Sequence, residues 1–116
     1  MIKIWRLENK AGIGCYRALS IEGLKKEIGE FGILFLTMLL YRHDKTYEEH
    51  PTPSCDFGIE RDIYPEEICG FLNKEQGEKW FNKNELEDLE KIGFKLKEIE
   101  VKKITAIGRN QVLAIK

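Results

Sequence analysis

All three prolines of the chain, Pro51, Pro53 and Pro65, fall in one short stretch of its middle. A proline has no amide hydrogen to give to a ladder or a helical turn, and it confines the residue before it to extended geometry. His50-Pro51-Thr52-Pro53 is therefore extended and irregular, and regular structure must form on either side of it. The polar run from Arg42 to Pro65 reads as one long loop, of the kind that in small domains often carries function. The 116 residues suit a single domain, 1–116, large enough to bury about two thirds of its unfolded surface without covalent staples. Three cysteines, Cys15, Cys55 and Cys69, are an odd set with no Cys-x-x-Cys spacing, which argues against a disulfide framework or a structural zinc site. The expected setting is a reducing cytoplasm.

A net charge of −1 offers no electrostatic footprint for a phosphate backbone, so nucleic acid is not an expected partner. Met1-Ile2-Lys3-Ile4-Trp5-Arg6 enters a strand-like pattern directly, without the apolar core and cleavage site of a signal peptide. The longest apolar run, 33–41, is about half of the roughly 20 residues that a membrane-spanning helix needs. It belongs in the core or in an interface such as a homodimer contact. Periodicity alone leaves it open between helix and strand.

Ile2 to Leu7 carries apolar residues on both faces and predicts a buried or half-buried first strand. Gly12-Ile13-Gly14 suits a turn. Ile21, Leu24 and Ile28 recur at helical spacing after Ser20, a suitable N-cap. Cys69-Gly70-Phe71 reads as a short strand. Asn73-Lys74-Glu75-Gln76 and Asn84-Glu85-Leu86-Glu87 read as capping boxes opening two short helices, and Gly93 supplies the left-handed residue that ends the second. The phase shift between Leu96 and Ile99 predicts a bulge in the next strand. Ile104–Ile107 and Val112–Ile115 flank Gly108-Arg109-Asn110-Gln111 as a terminal strand pair. The fold class is α+β, a small mixed or antiparallel sheet with two or three short helices.

The residues with chemical potential concentrate between His50 and Phe81. Cys69 precedes a helix N-terminus, where the helix dipole favours a thiolate, with His50 or His43 as a base and Asp56 to orient it. A buried, inert strand cysteine is the structural alternative. His43, His50, Cys55 and Cys69 match none of the usual zinc spacings, so no metal is expected. Gly12-Ile13-Gly14 lacks the third glycine of a dinucleotide loop. Asp56, Glu60, Asp62, Glu66 and Glu67 could serve acid–base chemistry or simply form a solvated face. Trp80 and Phe81 read as core anchors.

Ile4 to Lys10, Gly12 to Arg17, His50 to Asp56, Cys69-Gly70-Phe71, Trp80-Phe81, Gly93-Phe94 and Gln111-Val112-Leu113 together resemble a group of small uncharacterised bacteriophage and prophage proteins. The resemblance covers most of the chain outside residues 20 to 48, and it implies a viral origin without specifying a reaction. A looser similarity is to the ADP-ribosyltransferase fold, whose order of an early-strand arginine, a middle strand running into a helix and a late acidic or amide residue is matched by Arg6, Cys69-Gly70-Phe71 and Gln111. That similarity implies a pocket for NAD or another nucleotide formed by Arg6, His50, Asp56 and Gln111, with Tyr16 and Arg17 as further ligand-binding candidates. Gln111 is an amide and cannot act as a base, so such a pocket would bind without turnover. The first expectation is a non-enzymatic phage-type accessory protein that binds and modulates a host defence protein through a few aromatic or arginine anchors, with no cofactor.

Overall fold

The computed structural model describes residues 2–116. In chain order the elements are β1 (Ile2–Glu8), α1 (Glu22–Lys45), β2 (Glu67–Gly70), α2 (Lys74–Trp80), α3 (Lys83–Lys91), β3 (Lys95–Val101), β4 (Lys103–Ile107) and β5 (Val112–Ile115). Single 3-10 turns lie at Ala18–Ser20 and Pro53–Cys55. This is an α+β fold in which every strand pair is antiparallel.

Two small sheets are joined at Lys102, where β3 of one leads directly into β4 of the other. β1 pairs along its whole length with β3, from Ile2 opposite Val101 to Glu8 opposite Lys95. Beyond Lys102 the same chain continues as β4 and pairs with β5, which also pairs with β2. A reciprocal pair of backbone hydrogen bonds between Trp5 and Phe71, 2.8 and 2.7 Å, joins β1 to the residue that follows β2. The inner faces meet over Ile4, Val101, Val112 and Ala114, a small apolar cluster distinct from the main core. At Gly70 that junction is so tight that an added Cβ would sit 2.6 Å from the Ile4 side chain and 2.8 Å from the Trp5 carbonyl.

The second face of β1 carries the main core. Leu7 packs there with Leu36 and Leu39 of α1, Trp80 and Phe81 at the end of α2, Leu89 of α3 and Phe94. The two faces of β3 serve different clusters: Leu96 packs against the main core, whereas Ile99 belongs with the inner cluster. That division explains the phase shift read as a bulge, for β3 pairs with β1 without interruption; the register shift lies in β4, between Ile104 and Ala106.

Residues 33–41 are helical. They belong to the 24-residue α1, so not all the helices are short, and the helix extends to Lys45, shortening the expected loop from its N-terminal side. Gly29, at φ 73° and ψ 179°, breaks α1 with a backbone geometry essentially restricted to glycine. Ser20 is not the N-cap: its hydroxyl donates to the Arg17 carbonyl within the 3-10 turn, and Ile21 precedes the helix without a side-chain cap. The α2 cap is as expected on one side, Asn73 accepting from the Gln76 amide at 2.8 Å, while the Gln76 side chain accepts from the Leu72 amide instead of Asn73. The α3 box lies two residues earlier than read from the sequence, between Asn82 and Glu85, because Asn-x-x-Glu spacing fits both registers. Gly93 does close α3: its amide donates to Glu90 and that of Phe94 to Leu89, the two bonds of a Schellman end.

Adding a methyl group at Gly70 should therefore cost about 1–3 kcal/mol in urea unfolding, as overpacking at a rigid strand junction does. Gly23→Ala, at a helical site with nothing within 4 Å of the new methyl, should leave stability unchanged or raise it by up to about 1 kcal/mol.

Candidate functional site

β1, the turn after it, β2 and the end of α2 enclose a cavity of about 290 Å³. Its walls include Leu7, Ile63, Ile68, Phe71, Trp80 and Phe81, with the polar groups of Arg6, Cys15, Tyr16, Glu67, Cys69 and Gln111 among them and Arg17 exposed at its rim. Four of the sequence candidates thus come together with Cys69: Arg6, Tyr16, Arg17 and Gln111 line the same space. His50 and Asp56 do not line it.

The polar groups are occupied by the fold. Arg6 projects from the buried inner face of β1, where Nε donates to the Cys69 carbonyl at 3.0 Å and Nη1 to the Gly12 carbonyl at 3.0 Å and to Glu8 Oε2 at 2.7 Å. Glu8 also meets Lys116 at 3.1 Å and Lys97 at 3.6 Å. Burial pushes the Glu8 carboxyl up, yet Arg6 and Lys116 outweigh it and hold the group below its ordinary value. Glu67 is gripped by both terminal nitrogens of Arg61, each at 2.8 Å, and by the Tyr64 amide and the Thr105 hydroxyl. Arg61 is the main reason its carboxyl is pulled down to about 2.

Tyr16 heads a second chain of bonds. Its hydroxyl accepts from Trp80 Nε1 at 2.6 Å and meets His43 Nδ1 at 2.5 Å, while His43 Nε2 lies 3.1 and 3.2 Å from the Glu85 oxygens. This order makes Tyr16 the donor to Nδ1 and His43 Nε2–H the donor to Glu85. The ring of His50 stacks on His43 with centroids 3.8 Å apart, and its Nε2 lies 2.6 Å from the Trp80 carbonyl. Burial drives the Tyr16 pKa well up, drives that of Cys15 up to about 12 and raises that of Cys69. Burial likewise lowers His43, although Glu85 opposes the change. At neutral pH these groups are un-ionised, which is unsuited to a thiolate or tyrosinate nucleophile.

Asp56 is fully buried beneath the β4–β5 turn, accepting from the Asn110 amide at 3.1 Å and its side chain at 3.0 Å. Gln111 donates its amide to the Pro51 carbonyl at 2.7 Å. Both tie the proline-bounded loop to the terminal hairpin. Among the described residues no three His, Cys, Asp or Glu side chains are grouped to hold a metal ion. No described helix is long and apolar enough to cross a membrane. Glu85 and Trp80 are the members of the network that the sequence does not advertise as such. In the sequence Glu85 stands only inside the Asn84–Glu87 segment, whose box pairs Asn84 with Glu87, and Trp80 reads only as a core aromatic.

The protein-family model described as Bacteriophage T4 Y00F protein matches residues 1–116. Neither the curated proteins nor the solved structures contain a match.

The network sets a pH dependence with two arms. Unfolded His43 takes up a proton near pH 6.5 and the folded ring only at lower pH, so stability should fall as pH drops through that interval. Glu8 and Glu67, with depressed folded values, add stability above about pH 4.5 that is lost on further acidification. Thermal unfolding between pH 8 and 3 should show both falls, and His43→Gln should remove only the first. Tyr16→Phe, which strands the Trp80 N–H and the His43 acceptor, should cost about 1–3 kcal/mol.

Proposed function

Because the chain belongs to the bacteriophage T4 Y00F protein family, we propose that it is a phage accessory protein that binds and modulates a host protein, such as a defence component, without catalysing a reaction. The observation that carries this reading is the cavity beside Arg6: a concave, largely apolar space whose ionisable lining groups, apart from Arg17 at the rim, are either paired within the fold or held neutral. Such a space suits the insertion of an apolar anchor residue from a partner. Interfaces commonly concentrate their binding energy in one well-packed anchor of this kind, surrounded by a polar rim. Tyr16 and Ile63, each about two fifths exposed, and the exposed Arg17 provide that rim.

The rival reading, a pocket for NAD or another nucleotide, asks Arg6, His50, Asp56 and Gln111 to converge on one ligand. Arg6 and Gln111 border the cavity, but Asp56 holds Asn110 and His50 leans on Trp80. Arg6 also spends its charge on Glu8 at 2.7 Å. The host-protein reading therefore makes fewer demands on side chains already engaged.

The test is capture from a host lysate by immobilised protein, comparing the native chain with Ile63→Glu at the rim and Cys69→Phe in the wall. A stoichiometric partner retained by the native chain and reduced at least tenfold by both variants is the expected result. Equal capture by all three, with folding confirmed by circular dichroism, contradicts it.

A further inference from the structure

Helix α1 presents two apolar faces. Gly32, Leu36, Leu39 and His43 turn inward and are buried. On the opposite side Phe31, Leu34, Met38 and Tyr41 are 66, 60, 52 and 63% exposed. Their spacings of three, four and three residues place them along a single stripe, the repeat by which one helix packs against another. Exposed surface on these four side chains amounts to on the order of 450 Å², at the scale of the largest apolar patches on monomeric proteins.

We propose that this stripe is a dimer seam, occupied by α1 of a second copy of the chain running antiparallel. The stripe is symmetric about residue 36: Phe31 and Tyr41 lie equally far from it, as do Leu34 and Met38. A twofold axis at that level sets Phe31 against the partner's Tyr41 and Leu34 against the partner's Met38, so that each large side chain meets another. Charge favours the same direction. The beginning of the helix, with Glu22, Lys25, Lys26, Glu27 and Glu30, is net negative, while its end, with Arg42, Asp44 and Lys45, is net positive. Antiparallel packing brings these unlike ends together, whereas parallel packing would align Lys45 with Lys45. A standard interface needs about 800 Å² from each partner. The stripe supplies more than half as an apolar centre, and the polar residues beside it complete the rim. The seam lies on α1, while the cavity is lined by other elements, so the two surfaces can be tested separately.

Sedimentation equilibrium of the full chain at about 100 µM should give twice the 13.6 kDa chain mass. Leu34→Glu combined with Met38→Glu, which sets like charges against each other across the twofold, should shift the dissociation constant at least a hundredfold while circular dichroism and cavity-dependent capture persist, because both side chains are exposed in the single chain. Direction is read in a Cys55→Ser background. An oxidised mixture of Leu34→Cys and Met38→Cys chains should cross-link at least fivefold more than either variant alone. A 13.6 kDa native species, a dimer that survives the double substitution, or preferential 34-to-34 cross-linking would each overturn the proposal, as would a monomer whose stripe is needed only to capture a host protein.

Discussion

The bond network of the Arg6 guanidinium is the interaction on which the rest of the arrangement depends. A buried cation is tolerated only when it is paired and hydrogen-bonded. Arg6 meets that requirement by linking β1 to the Cys69 carbonyl of β2, the Gly12 carbonyl and Glu8. Glu8 extends the tie to Lys97 of β3 and to Lys116. One cluster thereby fixes the first strand, the turn after it, the middle strand and the end of the chain around a single cavity. No buried side-chain nitrogen or oxygen among the described residues lacks a partner. Apart from Arg17 at the rim, the polar chemistry around the cavity is consumed in building it, and what the cavity presents is mainly the apolar surface of Phe71, Trp80, Phe81 and their neighbours.

Local signals in the sequence were good guides to local structure. Asn73 and Gly93 act at the helix ends where their chemistry suggests, and the terminal hairpin flanks Gly108 to Gln111 as its pattern indicates. What escaped a reading of the sequence depends on contacts between distant residues. The 33–41 run is apolar all round because it serves both the core and an outward stripe, so neither a helical nor a strand period stands out. Leu96 and Ile99 imitate a bulge because opposite faces of one strand meet different clusters.

In the candidate site, Arg6, Tyr16, Arg17, Cys69 and Gln111 do border one space. Asp56 and His50 carry suitable chemistry, but partners far along the chain, Asn110 and the Trp80 carbonyl, already hold them. No local spacing encodes such pairings. Their effect is to turn the proline-bounded loop into a strap over the terminal hairpin, so that the loop shapes the domain rather than supplying free catalytic groups.

The account's central claim, that the cavity beside Arg6 receives apolar groups, is tested most directly by a nuclear magnetic resonance titration with two probes, indole and NAD. Indole should produce saturable shifts confined to Leu7, Ile63, Ile68, Phe71, Trp80 and Phe81, while NAD at the same concentrations should leave them unmoved. Saturable NAD shifts at Arg6, Arg17 and Gln111 with no response to indole would contradict the account.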